Sequence, residues 1–164
     1  QELANTAWAF AKAGIDAPNF YLLEALAVEA SPRLGEFNSQ ELANLAWALA
    51  KARFDAPVLL RAVAADGARR LREFDSQGIA TLAWALATAR VDVPVFFRAV
   101  STHALVRLGE FSALDLAMTV WAFAASKMWS PWLFQRIADE ASPRIGEFDS
   151  QALAMTAWAF ASTC

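Results

Sequence analysis

Apolar residues along this chain recur at the spacings i, i+3, i+4 and i+7, the period of a helix buried along one stripe. The pattern is densest between residues 38 and 53. Leu42, Leu45, Ala46 and Leu49 form one stripe, and Ala43, Trp47 and Ala50 form another. Glu41, Asn44, Ala48 and Lys51 remain for a narrow open face. A helix so nearly apolar all round is expected to be sandwiched between neighbours. The block then returns: Trp8, Trp47, Trp84, Trp121 and Trp158 mark the same position, 39, 37, 37 and 37 residues apart. A period in that range predicts one supersecondary unit stacked on copies of itself.

Local signals place two helices in each unit. Asn38 is a favourable N-cap, Glu41 three residues on closes a capping box, and Phe37 with Leu42 makes a hydrophobic staple. The arrangement recurs at Asp75 with Phe74/Ile79, Ser112 with Phe111/Leu116 and Asp149 with Phe148/Leu153. These signals predict a first helix, A, of about fourteen residues. After a short link, Pro57 opens helix B, with Pro18, Pro94 and Pro131 at equivalent or nearly equivalent places. Proline suits the first helical position because its missing N–H would be unpaired there. Helix B is expected to end near Gly35, Arg72, Gly109 and Gly146, three of them the glycine common just past a helix. Pro32 and Pro143 should kink or interrupt it one turn earlier.

The predicted fold class is all-α, a right-handed-type α-solenoid of tandem antiparallel helical hairpins. It holds about four and a third repeats: 1–39, 40–76, 77–113, 114–150 and a partial 151–164. Gln1 would sit just inside a helix that lacks its cap, and Cys164 before a fifth helix B. Raw apolar ends of this kind point to a piece of a longer protein, or to ends covered by neighbours.

Charge and composition refine this picture. The net charge of −3 argues against an unaided nucleic-acid binder. Yet residues 40–113 carry nine basic and seven acidic groups, a local +2, whereas 1–39 and 114–164 sum to −3 and −2. No uncharged apolar run reaches membrane-spanning length; the longest, 152–164, has 13 residues. The single cysteine, Cys164, excludes an internal disulfide and fits a reducing compartment. With one histidine, His103, one cysteine and no Gly-rich phosphate loop, neither a metal cluster nor a nucleophile–base pair can be assembled. The expectation is a non-enzymatic protein with no cofactor, no metal and no small-molecule substrate.

The string PheAsnSerGlnGluLeuAlaAsnLeuAlaTrpAlaLeuAlaLysAla at 37–52, with the ArgLeuGlyGluPhe exits at 33–37 and 107–111, resembles octotricopeptide-type repeats and their 37-residue relatives, the heptatricopeptide repeats. The resemblance spans essentially the whole chain. It implies work on RNA in an organelle, mitochondrion or plastid, by a nucleus-encoded solenoid binding transcripts or ribosomal RNA.

Candidate contact residues follow from the narrow face of helix A. Asn5, Asn44 and Thr81 are expected to meet base edges, Lys12 and Lys51 phosphates, with Thr88 on the same stripe and alanine at its centre allowing close approach. One base per repeat is a known mode for helical repeats. Toward the C-terminus the stripe turns apolar through Met118, Ala122, Ala125, Met155 and Ala159, which suits a protein contact. Arg33, Arg70, Arg107 and Arg144 recur every 37 residues and are possible phosphate contacts. The stronger expectation is that they pair with Glu36, Glu73, Glu110 and Glu147 at the helix ends. The tryptophan ladder is assigned to the inter-repeat core, with base stacking the lesser alternative. A Trp→Ala change in such a core costs roughly 3–5 kcal/mol. Trp129 and Trp132 break the repeat and mark either a partner patch or extra core. The leading expectation is a module binding organellar RNA. The alternative is a scaffold or accessory subunit contacting protein subunits of a large organellar complex, such as a ribosome or a respiratory or photosynthetic assembly.

Overall fold

The computed structural model describes residues 20–163, which fold as a stack of antiparallel helical hairpins. The B helices are α1 (Phe20–Ala30), α3 (Pro57–Arg69), α5 (Pro94–Ala104) and α7 (Pro131–Ala141). The A helices are α2 (Ser39–Lys51), α4 (Ser76–Thr88), α6 (Ala113–Ala125) and α8 (Ser150–Ala161). A 3₁₀ segment follows each B helix, at Ser31–Glu36, Leu71–Glu73, Leu108–Glu110 and Ser142–Glu147. The expectations for Asn5, Trp8, Lys12, Pro18 and Cys164 lie outside the described residues.

The A helices begin where capping chemistry places them. Asn38, Asp75, Ser112 and Asp149 each accept from the backbone N–H three residues on, at 2.9, 2.7, 3.2 and 2.7 Å. Glu41 and Asp115 reach back to the cap N–H and close two full capping boxes. Pro57, Pro94 and Pro131 stand at the start of their B helices. Pro32 and Pro143 do interrupt: α1 ends at Ala30 and α7 at Ala141, and the chain continues as 3₁₀. The staples bury Phe37, Phe74, Phe111 and Phe148 against the core, but Leu153, in the last described A helix, has no further unit over it and is exposed.

The glycines after helix B are not the left-handed caps the sequence suggested. Gly35, Gly109 and Gly146 lie inside the 3₁₀ segments, none with a left-handed φ. The left-handed positions lie at the other end of the hairpin, just past α2, α4 and α6: Arg53 (φ 52°), Arg90 (φ 55°) and Lys127 (φ 55°). The geometry is a tight helix stop. The N–H of Phe54 returns to the Leu49 carbonyl at 2.9 Å, and that of Arg53 to Ala50 at 3.1 Å. Val91 and Arg90 bond likewise to Leu86 and Ala87, and Met128 and Lys127 to Phe123 and Ala124. Glycine is the usual occupant of this position because a Cβ is crowded there. Each basic side chain therefore carries a backbone strain of order 1 kcal/mol.

Packing follows from side-chain size. The A helices form a close layer through alanine: Ala43, Ala46, Ala48 and Ala50 of α2, Ala80, Ala83, Ala85 and Ala87 of α4, all buried. The B helices contact one another less extensively. Between the layers lie Leu42, Leu45, Leu49, Leu60, Val63, Ile79, Leu82, Leu86, Phe96 and Phe97, continuing through the edge-on pair Phe97–Phe123 at 5.1 Å. Gly67 lets α3 approach α4, since a Cβ there would stand 2.8 Å from Leu82 Cδ2.

Candidate functional site

An interior A helix is covered on three sides, by the two flanking A helices and by its own B layer. One face stays open. In α2 it consists of Gln40, Asn44, Trp47 and Lys51, the positions that remain exposed or half-buried along its length. The equivalents are Gln77, Thr81, Trp84 and Thr88 in α4, Leu114, Met118, Trp121 and Ala125 in α6, and Gln151, Met155, Trp158 and Ser162 at α8. Asn44, Lys51, Thr81, Met118 and Met155 thus stand on the open face as the periodicity suggested. Thr88 does too, but its hydroxyl is buried without a hydrogen-bond partner.

Two expectations are corrected. Ala48, Ala85, Ala122 and Ala159 are not the accessible centre of the stripe; each is 0% exposed. Glu41, Gly78, Asp115 and Ala152 are buried as well. At 100° per residue the true face is turned by about 50° from the expected one. The physical reason is symmetry: small residues flank the helix on both sides, and a neighbouring A helix covers each flank. The turn brings the tryptophans to the centre of the open face. Trp47, Trp84 and Trp121 are half-buried against the core, and Trp158 is 46% exposed. They are not sealed into the seam.

The indoles touch from repeat to repeat. Trp84 and Trp121 have ring centroids 6.4 Å apart at 33°, and Trp121 and Trp158 are 5.9 Å apart at 38°. A tilted aromatic rail runs across three units, flanked by the Gln77 amide and the Thr81 hydroxyl in α4 and by the Met118 thioether and Leu114 in α6. Sequence reasoning missed Gln40, Gln77, Leu114 and Gln151 as members of this face. The signal was available, since each lies seven residues before its tryptophan, two turns away on the same side.

The arginines after helix B are already engaged. Arg33–Glu36, Arg70–Glu73, Arg107–Glu110 and Arg144–Glu147 pair at 2.9, 2.8, 2.8 and 3.1 Å. Hydrogen bonds from the arginines, with their charge, hold Glu36 and Glu110 below the usual carboxylate range. Arg70 also meets Asp66 at 2.9 Å and Arg144 meets Glu140 at 3.1 Å. Burial pushes Asp66 up, but hydrogen bonds from Arg69 and Arg70 outweigh it and hold the carboxyl low. Arg107 crosses to the Phe74 carbonyl of the preceding unit at 3.1 Å and sits 2.7 Å from His103 Nε2. Burial, then the charges of Arg107 and Arg72, keep His103 below its ordinary pKa.

Grooves run between successive units at the A–B links. The first, about 690 Å³, is lined by Lys51, Arg53, Asp55, Trp84, Thr88 and Arg90 among others. The second, about 420 Å³, includes Arg90, Asp92, Lys127 and Met128. The third, about 240 Å³, includes Lys127, Trp129, Ser162 and Thr163. Trp129 is 56% exposed and leans on Phe134 at 4.8 Å; Trp132 is 79% exposed and so is not extra core.

This surface can stack on flat rings and donate or accept single hydrogen bonds. Among the described residues no group of three or more His, Cys, Asp or Glu side chains could hold a metal ion, and no helix is long and apolar enough to cross a membrane. The family model of the RNA-editing substrate-binding complex 6 protein matches residues 1–163. No curated protein matches the chain. The chain belongs to the family of the RNA-editing substrate-binding complex 6 protein.

Proposed function

We propose that this family member is a non-catalytic subunit that binds single-stranded RNA on the open face of its A layer. The observation that carries the reading is the rail of touching, half-exposed indoles at Trp84, Trp121 and Trp158. Every base has a π face, and aromatic stacking of a base contributes roughly 1–3 kcal/mol whatever the sequence. Gln40, Asn44, Gln77 and Thr81 stand beside the rail with amide and hydroxyl groups suited to base edges. The family's name, a substrate-binding complex in RNA editing, agrees with such a role inside an assembly. The likeness to octotricopeptide and heptatricopeptide repeats adds the organelle, mitochondrion or plastid, to the reading.

The apolar half of the same face favours a second role within that assembly. Leu114 is 42% exposed beside Met118, and Trp129 and Trp132 stand out from the A–B link of the fourth unit. This is an alternative to the full rail: a protein subunit would cover α6 and α8, and RNA would be confined to α2 and α4.

Fluorescence anisotropy with a labelled oligouridine of about twenty nucleotides tests the proposal, since stacking needs unpaired bases. The chain should bind it at low salt and bind a duplex of the same length much more weakly. Equal affinity for the duplex, or no binding at low salt, would refute it.

A further inference from the structure

We infer that Arg53, Arg90 and Lys127, with Lys51, form a phosphate track along one edge of the A layer. The inference rests on the RNA reading and assigns the backbone-binding part of that site. Three independent observations carry it. The first is strain: the three residues are the described non-glycine positions with left-handed φ, all at the position just past an A helix where glycine is favoured. The helix dipole favours a cation there by about 0.3–1 kcal/mol, but glycine would remove the strain, and only a long basic side chain reaches out over the grooves. The second is freedom. Arg33, Arg70, Arg107 and Arg144 are bound to carboxylates, whereas Arg53, Arg90 and Lys127 are exposed and make no ion pair among the described residues. The third is placement: Arg90 lines both the first and second grooves, and Lys127 both the second and third, so the cations bridge successive grooves.

Local charge supports an anionic occupant. In the first groove Lys51, Arg53 and Arg90 face Asp55, three against one, a net +2 on a chain whose total is −3. In the second, Arg90 and Lys127 face Asp92, a net +1. Trp84 and Thr88 line the first groove and also belong to the open face, so the track and the indole rail share an edge. A single strand could lay bases across the rail while its phosphates pass the cations at the helix exits.

The test replaces the three residues with the one the backbone prefers. In Arg53→Gly/Arg90→Gly/Lys127→Gly the left-handed positions are relieved, so the melting temperature should not fall. Binding of a labelled oligouridine is measured by anisotropy across a salt series. Single-stranded binding changes by about 0.7 in log–log salt slope per phosphate neutralised, so the triple variant should be shallower by about 2. Its affinity should drop by about 100-fold at 0.1 M salt, if the two proteins converge at 1 M. Arg33→Gln/Arg144→Gln should leave the slope unchanged. An unaltered slope and affinity in the triple variant, with wild-type binding intact, would overturn the track and leave the RNA reading standing. So would a slope change in the Arg33/Arg144 variant without one in the triple. Wild-type protein that fails to bind at low salt would overturn the RNA reading itself, and the track with it.

Discussion

Trp121→Ala separates a structural from a functional role for the indole rail. A fully buried tryptophan replaced by alanine costs roughly 3–5 kcal/mol. Trp121 is half-buried, so the transfer part scales to about half of that. Its neighbours Trp84 and Trp158, at 6.4 and 5.9 Å, add roughly 0.5–1.5 kcal/mol each at full aromatic geometry, and less when tilted. The expected loss is about 2–3 kcal/mol, or roughly 4–12 °C in Tm for a chain of this size. Loss of one stacked base costs a further 1–3 kcal/mol in binding, about 5- to 150-fold in Kd. Urea titration by circular dichroism gives the first quantity and anisotropy with oligouridine the second. Trp121→Phe should recover most of both. A stability loss of 4 kcal/mol or more, with unchanged RNA affinity, would return the tryptophan to the core and refute the reasoning.

Three other outcomes follow from particular atoms. Gly67→Ala should destabilise by about 1–3 kcal/mol, because its Cβ would meet Leu82 Cδ2 at 2.8 Å and overpacking outweighs alanine's better helix propensity; thermal melting checks it. Thr119→Val should stabilise by about 1 kcal/mol, since the Thr119 hydroxyl is buried without a partner and valine has nearly the same shape. His103, the only histidine, should titrate below its ordinary value in an NMR pH series, because burial and the charges of Arg107 and Arg72 disfavour its protonation. A depressed histidine stabilises the fold above its unfolded pKa, and that contribution is lost as pH falls through the lower folded value, so His103→Gln should flatten the pH dependence of stability on the acid side of the ordinary histidine pKa.

The fold was legible because its signals are local and repeated. Asn38, Asp75, Ser112 and Asp149 announce the A helices, and Pro57, Pro94 and Pro131 the B helices, through chemistry confined to one turn. The open face was harder to read. Which flank of an alanine-rich helix meets a neighbour depends on how units stack, and Ala48 and Ala50 look alike in sequence. That ambiguity hid the exposure of the tryptophans, which hydrophobicity alone assigned inside. Nor does sequence pattern reveal the left-handed φ of Arg53, Arg90 and Lys127, because the expected marker of such a position is glycine. Conversely, Gly35, Gly109 and Gly146 carried that marker without the conformation. The paired state of Arg70 and Arg107 was foreseeable from the i, i+3 spacing to Glu73 and Glu110.

The central claim is that RNA lies on the open face of the A layer, and photo-crosslinking tests it most directly. A single-stranded RNA bearing 4-thiouridine is irradiated with the chain, and the adducts are mapped by mass spectrometry. The account predicts adducts at Trp84, Trp121 and Trp158 and on the peptides of α4, α6 and α8 around them. Adducts confined to the B helices, or to the paired arginines after them, would contradict it.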